Sequence, residues 1–243
     1  MQMNADIQNK KAELIQRRKD QILAAAKRIF AQNGFRRTKI DQIAEGLSVG
    51  KGTVYRYFKD KKSLFLAVFE QGMNRLRKSF RANVEPIQDP RRKIAAAVRT
   101  YFQFFENDTE LIEILMQVRS EFKDDYRRVF VALYSDYIVK IEENLRKGVK
   151  IGVFRQMNVE KTAEAISATL QGVLQSFYVR ELGPEIKTVP GVEKEAPTDS
   201  DFIKADEVQL GSGQQRELLT DRTEAVTALL LEGLLKRDSE DSA

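Results

Sequence analysis

The stretch RRKDQILAAAKRIFAQNGFRRTKIDQIAEGLSVGKGTVYRYFKDKKSLF, residues 17–65, decides the fold. In its first part Ile22, Ala26, Ile29 and Phe30 recur at the spacing of one helical face, with Leu23 beside them, while Lys19, Lys27 and Arg28 stay outside. This predicts a helix over about residues 17–33, which Gly34 stops because glycine accepts the left-handed conformation of a helix end. Thr38 is the expected N-cap of a short second helix, its hydroxyl accepting the N–H of Asp41, whose carboxylate suits the positive helix end. Ile40, Ile43, Ala44 and Leu47 are that helix's buried face. After the break Leu47-Ser48-Val49-Gly50 a third short helix reads KGTVYRYF, burying Val54 and Phe58. Asp60 caps a fourth, with Leu64, Phe65, Val68, Phe69, Met73 and Leu76 as its apolar stripe.

Two short helices joined by a tight break and packed on a preceding helix form the helix-turn-helix signature, whose second member enters the major groove of DNA. Here that member exposes Lys51, Thr53, Tyr55, Arg56 and Tyr57, with Gly52 offering no side chain. Lys and Arg read guanine or hold phosphates, Thr and Tyr hydroxyls donate to phosphate oxygens, and Gly lets the backbone come close. Double-stranded DNA is therefore the expected partner. The bland alternative is a solvated basic face with half-buried tyrosines.

Charge points the same way. The formal net charge is +5, but residues 1–82 carry 19 Lys and Arg against 7 Asp and Glu, leaving 22 basic and 29 acidic residues in 83–243. A basic first third with an acidic remainder suits a polyanion at one end.

The chain has no Cys and no His. That removes disulfides, thiolate nucleophiles, Fe–S clusters, Ser-His-Asp triads and imidazole zinc sites. An enzyme holding phosphate through Gly50-Lys51-Gly52-Thr53 is a poor fit, because a phosphate-binding loop needs four residues between its glycines and Ser or Thr directly after Lys. Between Gly46 and Gly50 there are three residues, and Gly52 follows the lysine. Adjacent carboxylates such as Asp124-Asp125 and Glu142-Glu143 diverge on a helix and make no acid–base dyad. No enzyme activity, metal or cofactor is expected. No apolar run approaches the roughly 18 residues of a membrane span, and no signal peptide is evident, so the expectation is a cytoplasmic protein without a membrane partner.

Beyond residue 82, Pro86 and Pro90 break the chain and Asp89-Pro90 reads as an N-cap with Pro in the first turn. Helices follow over about 90–106, 109–119, 123–150, 158–182 and 216–237. Residues 183–215 hold three of the five prolines and a strong acidic bias, the composition of a mobile loop. The fold class is all-α with about nine helices. A Leu-rich last helix also leaves open an adaptor that works without DNA.

The stretch 17–65 resembles the tetracycline-repressor (TetR) family of bacterial one-component transcription regulators, with Thr38, Ile43-Ala44, Val49, Lys51-Gly52-Thr53, Tyr55, Tyr57-Phe58, Lys61 and Leu64 following its pattern. The resemblance implies a DNA-binding domain in 1–82, with core 17–65 and a linking helix begun in 60–82, and an effector-binding and dimerisation domain in 83–243. It implies that Thr38, Tyr55 and Lys61 bind phosphates while Lys51, Gly52, Thr53 and Tyr57 lie in or beside the groove, and Arg56 joins them by its exposure. It also implies a homodimeric, ligand-responsive repressor on a palindromic operator. The pattern departs at Ser48, where Gly is common, and at Gly50, where Ser is common; a positive φ at Ser48 would be strained.

For the dimer interface the expected residues are the small row Ala165, Ala168, Gly172 and Ser176 together with Val226, Leu230 and Leu234. For the effector, the aromatic concentration at 101–137 offers a lining of Phe102, Phe105, Met116, Arg119, Tyr126, Phe130 and Tyr134, with Phe177 from a later helix. More than half of those aromatics are expected simply to fill the core. With Cys and His absent, an unknown small organic effector is the expected signal.

Overall fold

The computed structural model describes the backbone of residues 2–182 and 212–235, and the side chains of these residues apart from 2–7, 129–134, 181–182 and 212–221. In chain order come α1 (Gln2–Arg37), α2 (Ile40–Glu45), α3 (Lys51–Tyr57), α4 (Lys61–Asn83), α5 (Pro90–Glu106), α6 (Thr109–Glu121), α7 (Lys123–Lys150), α8 (Val159–Phe177), a π-helical turn (Tyr178–Leu182) and α9 (Ser212–Leu234). The all-α class holds: among the described residues the one β feature is an isolated bridge between Phe154 and Leu235. The predicted acidic loop lies outside the described residues up to 211, and from Ser212 the backbone is helical.

Packing divides the chain into two units. The first joins residues up to Ala82 with Asn107–Lys140; the second joins Asn83–Glu106 with the described residues from Ile141 onward. The break after Ala82 coincides with the proline-marked boundary, but α6 and most of α7 return to the N-terminal helices instead of staying with the rest of 83–243.

In the first unit, Ile22, Ala26 and Phe30 of α1, Ile43 of α2, Val54 of α3 and Leu64, Phe65, Val68 and Phe69 of α4 are buried, as their periodicity requires. Leu111, Ile112, Ile114 and Val118 of α6 complete this core. Phe65 sits edge-on to Phe30 at 4.9 Å, and Phe35 to Phe122 at 4.8 Å, linking α1, α4 and the junction of α6 and α7. A Cβ at Gly72 would collide with the Leu111 side chain, so α4 needs a glycine where α6 crosses it.

Three polar devices set the geometry of this unit, and the first of them corrects the sequence expectation. Gly34 takes φ 76° and ψ 156°, so α1 breaks there although its hydrogen bonding continues to Arg37. Thr38 lies just past this break with 1% exposure, and its hydroxyl donates to the Gly34 carbonyl at 2.8 Å instead of capping α2. The cap of α2 is Lys39, whose backbone N–H donates to Gln42 Oε1 at 2.9 Å. The N–H and the hydroxyl of Thr38 both turn back to the Gly34 carbonyl, and Gln42 serves the N-terminus of α2 in its place.

Lys61 is the second device. Its ammonium donates to the carbonyls of Phe35 at 2.8 Å, Thr38 at 2.9 Å and Arg36 at 3.2 Å, and lies 4.5 Å from the Phe35 ring centre. All three N–H donors are engaged, so Lys61 clamps the end of α1 to the start of α4. The third device is Asp108, which is 6% exposed. It caps α6 through the Leu111 N–H and pairs with Lys27 of α1 at 2.5 Å and Arg75 of α4 at 2.9 Å.

In the second unit Phe102, Phe105, Leu145, Phe154, Leu170, Leu174 and Phe177 are buried. Asn158 caps α8 through the Lys161 N–H at 2.9 Å, and Gly152, at φ 75°, follows the end of α7. Arg155 fastens the end of α9, its backbone N–H donating to Leu234 at 3.0 Å and its Nε to Gly233 at 2.7 Å. Val226 and Leu234, expected on a partner-facing stripe, are 7% and 4% exposed within the single chain. The expected start of α1 at about residue 17 also fails: the helix extends back to Gln2.

Replacing Lys61 by Met removes three charge-assisted bonds and is expected to cost about 2–3 kcal/mol in urea unfolding. Asp108→Ala should cost about 2–3 kcal/mol, through the lost cap and the lost pairs with Lys27 and Arg75. Lys59→Met, on an exposed neighbour, should stay within about 0.5 kcal/mol of wild type. Equal stability of Lys61→Met and Lys59→Met would overturn the clamp.

Candidate nucleic-acid interface

Helix α3 follows a turn that the sequence makes costly. Ser48 takes φ 52°, a left-handed conformation that costs a non-glycine residue about 1 kcal/mol. Val49 N–H reaches back to the Ala44 carbonyl at 3.0 Å, closing α2 and turning the chain into Gly50. Gly50 is the N-cap of α3, without a side-chain cap, and Thr53 N–H donates to its carbonyl at 2.8 Å. A Cβ at Gly50 or Gly52 would meet no atom within 4 Å, so the opening turn of α3 faces open space.

Val54 and Phe58 anchor α3 to the core at 1% and 6% exposure. The opposite side presents Lys51, Gly52, Tyr55 and Arg56, all exposed, with Thr53 and Tyr57 half-buried. The Arg56 guanidinium lies 5.6 Å from the Tyr57 ring centre. Lys51 pairs with Asp41 of α2 at 2.9 Å, and this hydrogen bond raises the ammonium pKa above its ordinary value. Both side chains are half-exposed, so the pair is weak enough to yield to a phosphate or a base edge. Six of the eight sequence-predicted DNA contacts therefore share α3, whereas Thr38 and Lys61 turn inward. Lys19 of α1 places its Nζ 5.8 Å from the ring of Phe58 at the end of α3; in the sequence it reads only as the polar side of α1.

The residues of the predicted effector lining fall in both units. Phe102, Phe105 and Phe177 are core residues of the second unit. Met116 is half-buried, Arg119 exposed, and Tyr126 packs 6.3 Å from Phe69, all in the first unit. Burial raises the Tyr126 phenol pKa above its usual value. The Phe130 and Tyr134 side chains lie outside the described residues. A better polar candidate is Tyr137, whose Oη is buried with no hydrogen-bond partner and whose ring stands edge-on to Phe80 at 5.2 Å. Burial holds that phenol far above its ordinary pKa, so it stays a neutral donor. In the sequence nothing separates Tyr137 from its neighbouring aromatics.

A cavity of about 200 Å³ in the second unit is lined by Val173, Ser176, Arg180, Arg222, Ala225 and Val226, none of them in the predicted lining. The small row of α8 is on the surface: Ala165, Ala168, Gly172 and Ser176 are exposed, and a Cβ at Gly172 would meet nothing within 4 Å. Leu230 is half-buried, while Leu229 and Val179 are 64% and 54% exposed. Among the described residues no acidic cluster is built to hold a metal, and no helix is long and apolar enough to cross a membrane.

Residues 22–68 match the model of bacterial regulatory proteins of the tetR family, and residues 88–175 match that of the tetracyclin repressor-like C-terminal domain. The transcriptional activator FasR of Mycolicibacterium smegmatis is 30% identical over 109 residues, a match spanning 45% of this chain and 47% of FasR. The fatty acid metabolism regulator protein of Bacillus subtilis is 20% identical over 162 residues, spanning 66% and 84%. In solved structures, the fatty acid degradation regulator FadR from Bacillus halodurans superposes with a TM-score of 0.64 at 21% identity, covering 88% of this chain and 94% of that one. FadR from Bacillus subtilis, solved in complex with stearoyl-CoA, gives 0.63 at 18% identity, covering 88% and 97%. The helix-turn-helix geometry and both domain matches lead to one conclusion: the chain belongs to the TetR family of DNA-binding transcription regulators.

Proposed function

We propose that this regulator is a ligand-responsive repressor that binds a palindromic operator as a homodimer and is released by a small apolar effector. The observation that carries the reading is α3: four exposed and two half-buried groups suited to phosphates and base edges, on a helix fixed from behind by Val54 and Phe58. A single short helix makes few contacts, and two of them about 34–36 Å apart read successive major-groove faces. The exposed small row of α8, with Leu229 and Val179, supports a close helix–helix interface between two copies.

For the effector, the names of the relatives favour a fatty acyl compound, and stearoyl-CoA is bound to one of the similar structures. Tyr137 supports a ligand carrying a carbonyl, since a buried hydroxyl without an acceptor costs about 1–3 kcal/mol that such a group would recover. FasR carries the name of an activator, and the sign of a reporter response separates that output from repression.

Tyr55→Ala combined with Lys51→Ala should weaken binding to a duplex selected from a random pool by about 2–4 kcal/mol, read by fluorescence anisotropy. Unchanged affinity would overturn the docking of α3. Gly172→Arg places a long charged side chain in the small row and should shift sedimentation from dimer to monomer; a persistent dimer would place the interface elsewhere. Tyr137→Phe should hold or raise the melting temperature of the ligand-free protein while weakening release from DNA by stearoyl-CoA about tenfold, as expected for one lost hydrogen bond. Normal release in that variant would remove Tyr137 from the effector site.

A further inference from the structure

We propose that the N-terminal part of α1 is a second DNA-contacting element, a basic helical arm that grips phosphates flanking the site read by α3. The inference rests on α3 docking into DNA and extends the interface beyond the helix-turn-helix.

Residues 8–18 are exposed without exception, although they continue the same helix that buries Ile22, Leu23, Ala26 and Phe30. A helical segment that packs against nothing gains no stability from its own fold, and one this short is marginal alone. A surface outside the chain is what would give it purpose. Its chemistry names that surface. Lys10, Lys11, Arg17 and Arg18 form two pairs seven residues apart, which places all four on one helical face around Leu14. Among the described residues none of the four has an acidic partner, and Glu13 is the only acidic residue between 8 and 19. Leu14 is 66% exposed amid these cations, and minor-groove binders combine basic groups with apolar side chains in this way.

Position supplies the second argument. Lys19 lies over the ring of Phe58, the residue that closes α3, so the exposed segment leaves the domain beside the recognition helix. Eleven residues of helix extend about 16 Å, more than the roughly 12 Å width of the major groove. The arm is thus long enough to pass the backbone that bounds the groove holding α3. A second copy of the chain fits less well, because four uncompensated cations on one face would repel their own symmetry mates.

The test uses the full chain with Lys10, Lys11, Arg17 and Arg18 changed together to Gln, which keeps length and helix propensity. The probe is the duplex that the wild-type protein selects from a random pool, prepared with long and with trimmed flanks. Four lost phosphate contacts should reduce the slope of log affinity against log salt by about 2–4 per protomer and weaken binding about tenfold or more at low salt. Trimming the flanks should weaken the wild type but not the variant. An unchanged slope with wild-type affinity on long flanks would overturn the arm, as would a changed oligomeric mass, which would make the face a protein interface. If the wild type selects no duplex, the docking of α3 fails instead, and the two failures are told apart.

Discussion

The arrangement of this DNA-binding unit depends on one cation placed where a helix breaks. Gly34 interrupts α1; the Lys61 ammonium collects the carbonyls of Phe35, Arg36 and Thr38, and the Thr38 hydroxyl joins its own N–H on the carbonyl of Gly34. Those contacts tie α1 to the first turn of α4, and α2 and α3 are the segment strung between the tied points. A recognition helix of seven residues cannot orient itself by its own hydrogen bonds. Its aim is inherited from the clamp and from the apolar anchors Val54 and Phe58. Thr38 and Lys61 therefore help to build the platform that holds the recognition helix.

Burial in the helical stripes was legible in the sequence because it has a period. Ile22, Phe30, Ile43, Val54, Phe65 and Phe69 are all buried on the faces that spacing assigns them. Caps at Asp60, Asp89 and Asn158 were equally legible, since a short polar side chain before a helical run has a local partner three residues on. Thr38 misled for the same reason: it fits the cap pattern, but the nearer claim comes from a broken helix behind it.

What the sequence does not carry is long-range. Nothing in the order of residues says that Asn107–Lys140 returns to the N-terminal helices, because that choice is made by Asp108 meeting Lys27 and Arg75, and by Leu111 filling the space left at Gly72. Val226 and Leu234 fit an outward stripe as well as an inward one, and only the surrounding packing decides. The first turns of α1 escaped because their apolar residues, Met3, Ile7 and Leu14, are too sparse for a stripe; Ala, Glu, Gln and Lys favour a helix by propensity alone, which is a weak signal.

The glycines of the first unit differ in how the chain can evolve around them. At Gly72 the constraint is space, and the obstructing atoms belong to the Leu111 side chain. A smaller residue at 111 would admit a larger one at 72, so these two positions are free to drift as a pair. At Gly34 no atom lies within 4 Å of a would-be Cβ, and the constraint is the backbone torsion itself. No partner substitution relieves a torsion. Position 34 is therefore locked alone, whereas position 72 is locked only for as long as leucine faces it.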